Sequence, residues 1–305
     1  MLNWSVRRRE PVDNNSRSNT IFMLSNELAM ILNKVKPTNL SLWFYRFVKF
    51  REESEGVYKP SLENSVGNRL NLPSEAYQLY RNYINLLKTL KQPTFSAKNI
   101  TRLVVGLGQA NVFEVSIKLH RNYGFPFIPG SSLKGIAKSY SYMLFNEVID
   151  KNLSKELRDI FDGKKSLGET KIDKNEYVTL KDKTKSVILS LEEALEIFGT
   201  QTLEGDIIFF DSFPDPDTLS LEFDIMAPHY GPYYVGDAIP GDWHDPTIIK
   251  FLTISRGAKF YFWLSSRNNN SSLLKKAVIL LKCSLSQLGV GAKTALGYGL
   301  FSIDQ

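Results

Sequence analysis

Two short segments carry residue types suited to holding a phosphate group. The first, Gly289-Val290-Gly291-Ala292-Lys293-Thr294-Ala295-Leu296-Gly297-Tyr298-Gly299, sets four glycines around a lysine and a threonine. Glycines admit left-handed backbone and close approach, so successive amides can turn toward an anion while Lys293 supplies charge. The same glycines would equally serve a tight helix-to-strand turn. A nucleotide P-loop is excluded, because Ala292 stands where that motif has glycine and the order of elements is reversed. The second segment, Phe125-Pro126-Phe127-Ile128-Pro129-Gly130-Ser131-Ser132-Leu133-Lys134-Gly135, places Ser131 and Ser132 at the start of a helix. Lys134 and Lys138 follow one turn apart, where a helix N-terminus also favours an anion. Simple capping of the helix needs the same serines.

Histidine is where acid–base chemistry would live. His120 follows an alternating apolar segment and is the candidate general base of a metal-independent ribonuclease, against a structural role at a strand end. His229, Asp237, Asp242, His244 and Asp245 have the types to bind a divalent ion. Their crowding in sequence, among Pro228, Pro232, Pro240 and Pro246, reads instead as a rigid interaction loop. We therefore expect no catalytic residue, no metal and no cofactor.

Charge is unevenly spread. The net charge of +6 divides into +7 over 1–99, +1 over 100–205, −9 over 206–246 and +7 over 247–305. Basic sequence at both ends suits a polyanion, whereas nine carboxylates without a basic residue would repel one. The acidic stretch is expected to dock a protein, with Tyr230, Tyr233, Tyr234 and Trp243 as aromatic anchors, against core aromatics beside solvated carboxylates. No run of roughly 18 apolar residues or secretory h-region is present, and the lone Cys283 fits a reducing compartment. A cytoplasmic protein is expected.

The elements that must position these residues follow from periodicity. Residues 1–99 read as a mostly helical region, with helices over 21–33, 42–50 and 74–90. From residue 100 the pattern predicts strands at 103–105 and 112–119 and a helix over 132–149. Residues 162–185, with seven lysines and five acids, read as a flexible charged insertion. A helix over 191–198 and strands at 206–210, 219–226, 248–254 and 259–264 follow, with Arg256-Gly257 as a hairpin turn. A helix capped by Ser271 or Ser272 then leads through the glycine loop to a last strand at 300–303. This is an α+β plan with a ferredoxin-like, RNA-recognition-module-like core over 100–305.

The motifs bear a specific resemblance. Pro129-Gly130-Ser131-Ser132-Leu133-Lys134-Gly135 resembles the helix entry of the RAMP superfamily of CRISPR proteins. Residues 289–299 match that superfamily's glycine signature, G-h-G-x5-G-h-G with h hydrophobic, at every specified position. Ile197-Phe198-Gly199, followed by 205–211, resembles its recurring helix-end and strand segment. More narrowly, Gly106-Leu107-Gly108-Gln109, the run Asp224-Ile225-Met226-Ala227-Pro228-His229-Tyr230, Tyr233-Tyr234 and residues 242–246 resemble the family of sixth RAMP subunits in type III-B (Cmr) effector complexes. The resemblance implies a subunit at the end of a helical RAMP backbone, near the 3′ end of a guide RNA. Its implied partners are the guide and target RNA, the repeated backbone subunit, the second terminal RAMP subunit and the small helical subunit. Target cleavage is implied to belong to the repeated subunit, through an acidic residue on a loop after its first strand. Here that loop, 106–111, holds no carboxylate. The RNA-binding candidates are Ser131, Ser132, Lys134, Lys138, Gly289, Gly291, Lys293, Thr294, Gly297 and Gly299.

Overall fold

The computed structural model describes residues 20–22, 24–34, 38–54, 57–67, 74–182, 185–200, 203–227, 233, 236–239, 241, 243 and 246–303. The chain opens with β1 (Thr20–Phe22), α1 (Asn26–Lys34) and α2 (Leu40–Tyr45). The hairpin β2 (Lys49–Ser54) and β3 (Val57–Pro60) leads to α3 (Leu62–Val66), α4 (Ser74–Leu90) and β4 (Phe95–Asn99). After an irregular stretch come α5 (Gly130–Val148), α6 (Ser154–Phe161), β5 (Tyr177–Asp182), β6 (Lys185–Ser190) and α7 (Leu191–Phe198). Strands β7 (Ile207–Phe209), β8 (Phe213–Pro214), β9 (Leu221–Met226), β10 (Ile249–Ile254), β11 (Lys259–Phe262) and β12 (Leu264–Ser266) precede α8 (Ser271–Gln287) and β13 (Phe301–Ile303).

The central sheet has the order β13-β4-β11-β8, with every neighbouring pair antiparallel. Its alternation sorts side chains cleanly, since directly paired residues share a face. Ala97, Phe260, Phe262 and Phe301 form one face, fully or almost fully buried on the side of α8. Phe213 and Tyr261 lie on the other face, beneath α4. There the Tyr80 hydroxyl donates to the carbonyl of Pro214 (2.8 Å), and Trp263 Nε1 donates to the carbonyl of Lys91 (2.9 Å). Lys88 sets its ammonium 3.8 Å from the Tyr261 ring centre. The N-terminal elements join the same core through stacked Tyr80 and Phe125 (3.8 Å) and through Phe44 against Phe113.

The α+β class holds, and several expected elements differ in ways the hydrogen bonds explain. The helix expected over 42–50 ends at Tyr45, because β-strand pairing of Lys49–Arg51 with Thr20–Phe22 captures the rest. Residues 112–119 bury Phe113, Val115, Ile117 and Leu119 in alternation as read, yet form no ladder. Their amides go instead to a neighbouring loop, Ser116 to Leu107 and Lys118 to Val105, and Glu114 turns to φ 69°. The first strand of the central sheet is β4, a segment for which no strand was expected. Arg256-Gly257 does not close a hairpin, since β10 pairs with β9 while β11 pairs with β4 and β8. The cap of α8 is Asn270, whose side chain accepts from the Leu273 amide, not a serine. The charged segment 162–185 is no free arm. Its end, Tyr177–Asp182, is β5, which pairs with β6, from Lys185 onward, in a hairpin that buries Val178, Leu180 and Leu189 against α8. Apolar residues on alternate positions were hidden there among lysines.

Candidate nucleic-acid interface

The glycine loop is built by backbone packing. Val290 donates to the carbonyl of Gly299, Ala292 to that of Val104 and Gly299 to that of Arg102. A Cβ at Gly299 would lie 2.0 Å from the Val290 oxygen, and one at Gly291 would lie 2.3 Å from the Val104 oxygen. Both glycines also hold positive φ, so a side chain there meets strain as well as a clash. Lys293 is left-handed (φ 61°) and starts a single 3₁₀ turn, Thr294–Leu296, that Gly297 ends at φ 86°. The amides of Lys293, Thr294 and Ala295 stay outside these pairings. The Lys293 ammonium lies 5.2 Å from the Phe251 ring centre.

Beside this loop is an open cleft of about 610 Å³, lined in part by Ile100, Arg102, Arg256, Leu296 and Tyr298. Its floor is a charge network. Arg102 donates to Glu222 (2.5 Å) and Asp224 (3.0 Å), and the Tyr298 hydroxyl also donates to Asp224. Burial alone would raise the Asp224 carboxyl, but the bonds from Tyr298, the Ile225 amide and Arg102 hold it below the ordinary carboxylate range.

The start of α5 is built differently. Gly130 packs against backbone, with a Cβ there only 2.0 Å from the Phe209 oxygen. Its amide donates to Asp211 (2.8 Å), so a carboxylate of the chain itself already occupies the helix N-terminus. That corrects the reading of Ser131 and Ser132 as the cap: neither makes a side-chain cap bond, and the carboxylate comes from β7–β8. The basic residues beyond remain grouped. Burial, then the nearby charges of Lys138 and Arg267, lower the Lys134 ammonium below its ordinary value, with Glu204 offsetting only part. Arg267, which sequence reading did not single out, is held by Glu204 (2.8 Å) and the Gly205 carbonyl. Its place is set by Asp206, which accepts from Ser266 and the Asn268 amide. Gly135, in the helix interior, has open space where a side chain would stand.

The structure does not bring the two phosphate-type segments together. The glycine loop lies at the Asn99–Phe301 end of the central strands, and the start of α5 lies at the Leu264–Phe209 end.

His120 sits among Tyr83, Tyr123, Phe127 and Phe213, at ring distances of 5.0–6.0 Å. Its Nδ1 is buried without a hydrogen-bond partner, and burial lowers its pKa against the opposing charge of Asp211. Six of the nine carboxylates of the acidic stretch are bonded to other parts of the fold. Asp206 and Asp211 serve as described, Asp215 accepts from the Tyr261 hydroxyl, Asp217 pairs with Arg81, and Glu222 and Asp224 hold Arg102. Tyr233 (49% exposed) and Trp243 (72% exposed) lie at the surface, the Trp243 ring against Gly241. Tyr230 and Tyr234 lie outside the described residues, as do His229, Asp242, His244 and Asp245.

The sequence pattern of the RAMP superfamily matches residues 96–302. The CRISPR system Cmr subunit Cmr6 of Pyrococcus furiosus is 38% identical over 269 residues, covering 79% of this chain and 78% of that protein. This chain belongs to the RAMP superfamily, in its Cmr6 family. The Cmr6 subunit of Saccharolobus solfataricus is 25% identical over 265 residues, covering 83% and 74% of the two chains. Among solved structures, this RAMP protein is similar to the crystal structure of Cmr6 from Pyrococcus furiosus, with 36% identity and a TM-score of 0.46, over 69% of this chain and 96% of that one. It is also similar to a chain in a type III-B Cmr-beta complex bound to cognate target RNA, with 23% identity and a TM-score of 0.47, over 76% and 66% of the two chains.

Proposed function

We propose that this RAMP protein is a non-catalytic, guide-RNA-binding backbone subunit of a type III-B CRISPR RNA-targeting complex, seated near the 3′ end of the guide. Membership of the Cmr6 family supports the complex. The observation that carries the RNA role is the grouping of Lys134 and Lys138, one turn apart on α5, with Arg267, of which only Arg267 has an ion-pair partner among the described residues, Glu204. Gly135 leaves the adjoining helix surface bare, so a backbone can come close. The unpaired amides at 293–295 and the cleft beside them form the second contact, at the other end of the strands.

The scaffold for both is a ferredoxin-like core. The strand order β13-β4-β11-β8, with α5 after β4 and α8 after β11, supports that reading. Its partners would be the guide and target RNA, the repeated and second terminal RAMP subunits and the small helical subunit, in the cytoplasm. Tyr233 and Trp243, both exposed, are the aromatic residues proposed to meet a protein neighbour.

A cleaving role would need His120 to reach a substrate proton. Its ring is instead hemmed in by four aromatics, with Nδ1 buried. The experiment is to incubate the full chain with CRISPR repeat RNA and follow binding and cleavage, with and without His120→Ala. Binding without cleavage is expected. Cleavage abolished by His120→Ala would replace this reading with a processing ribonuclease.

A further inference from the structure

Among the described residues, the second face of the central sheet is only half covered. Helix α4 lies over Phe213 and Tyr261, on the β8–β11 side. On the β4–β13 side the same face shows Ser96, Lys98 and Ser302, with Lys259 beside them on β11. Lys98 and Ser302 are exposed, and Ser96 and Lys259 are half-buried.

Register makes this strip unusual. Lys259 stands directly opposite Lys98, and Lys98 directly opposite Ser302, so two ammonium groups and a hydroxyl form one row across three strands. Like charges directly opposite each other destabilise a sheet. Lys88 adds a third cation from the edge of α4, above Tyr261, and Lys259 lies 5.8 Å from the same ring centre. No ion pair among the described residues includes Lys88, Lys98 or Lys259. Of the carboxylates near Tyr261, Asp215 accepts from the Tyr261 hydroxyl and Asp217 pairs with Arg81. The fold therefore keeps a repulsive row where neutral residues would pair better.

We infer that the open half of this sheet face, centred on Lys98 and Lys259, is an RNA-backbone contact separate from the start of α5 and the glycine loop. It rests on the RNA-binding reading above and extends it to a further surface. Phosphate is favoured over an acidic protein for a physical reason. A protein interface needs apolar or aromatic anchors at its centre. This row offers hydroxyls and ammonium groups, and Tyr261 beneath is only 8% exposed. A polyanion needs no more than such cations, since release of its counterions drives binding.

The test compares Lys98→Ala/Lys259→Ala with Lys134→Ala/Lys138→Ala in the full chain, titrating a labelled single-stranded RNA of mixed sequence at several salt concentrations. Each phosphate contact on a single strand contributes about 0.7 to the slope of log affinity against log salt, so each double variant should lower it by about 1.4. The sheet variant should also melt no earlier than wild type, because it removes a repulsion. An unchanged slope for the sheet variant, beside a reduced slope for the α5 variant, overturns this inference and leaves the proposed function standing. A lower melting temperature for the sheet variant also overturns it, by making the lysines structural. If the wild-type chain shows no salt-dependent RNA binding at all, the proposed function itself fails.

Discussion

The glycine loop and the start of α5 read alike in sequence, each a glycine-bearing turn with a lysine near a helix end, yet the fold uses them in opposite ways. In the loop, Gly291 and Gly299 let backbone meet backbone, and the nearest arginine, Arg102, is tied to Glu222 and Asp224. At α5 the helix amide is satisfied by Asp211, but Lys134, Lys138 and Arg267 are gathered against their own repulsion. Glycine spacing thus reports shape, and only the arrangement of charge reports binding. Backbone packing fixes the glycines of both segments, Gly130 as closely as Gly299, and what separates them is the number of cations the fold groups there.

The strongest way to break this comparison is to fill a glycine. Gly299→Ala places a Cβ 2.0 Å from the Val290 oxygen at positive φ, and should cost at least about 3 kcal/mol in denaturant unfolding. Gly297→Ala, with the same sign of φ but open space, should cost only about 1 kcal/mol. Equal losses would mean that close packing does not explain the loop. Next in size is the charge test. Lys134→Ala/Lys138→Ala should weaken RNA binding more than Lys293→Ala, whose single contact is worth about 0.7 in salt slope. A larger effect for Lys293→Ala would invert the assignment.

Smaller effects sharpen it further. Tyr298→Phe removes one donor to Asp224 and should cost about 1 kcal/mol at neutral pH. Because the folded Asp224 carboxyl is depressed, its stabilisation is present above the unfolded carboxylate pKa and is lost as pH falls through the lower folded value. The gap between Tyr298→Phe and wild type should therefore narrow in unfolding titrations taken from neutral pH toward about pH 3. A gap that widens in acid would show that Tyr298 acts elsewhere. Last, Gly135→Ala should stabilise the chain by about 0.8 kcal/mol, since it sits in a helix with room for a methyl group, while weakening RNA binding. Tighter RNA binding by this variant would remove the reason given for that glycine.

Much was legible in the residues themselves. The helices at 74–90, 130–148, 191–198 and 271–287 follow from apolar spacing, and the glycine signature with Pro129–Gly135 points to the superfamily that residues 96–302 match. Apolar alternation over 112–119 marks the buried side chains correctly, because burial needs only the side-chain period. It does not mark a strand, because a ladder needs a partner at the right distance, and the nearby 103–107 segment offers only loop bonds. For the same reason, periodicity does not mark β4 or the β5–β6 hairpin as strands. Their apolar residues are few and interleaved with lysines, and only pairing makes them strands.

By itself, then, the sequence determined the family, four of the longer helices and the buried positions of 112–119, and it marked two segments as candidates for meeting phosphate. Tertiary structure alone decided that Lys134, Lys138 and Arg267 meet at the start of α5 and that Arg102 beside the glycine loop is tied to Glu222 and Asp224. It also set Asp211 on the α5 amide, brought Arg267 to Lys134, and placed Lys98 opposite Lys259. These are contacts between residues far apart in the chain. Local periodicity reaches only a few positions, whereas electrostatics acts through space between whatever the fold makes neighbours.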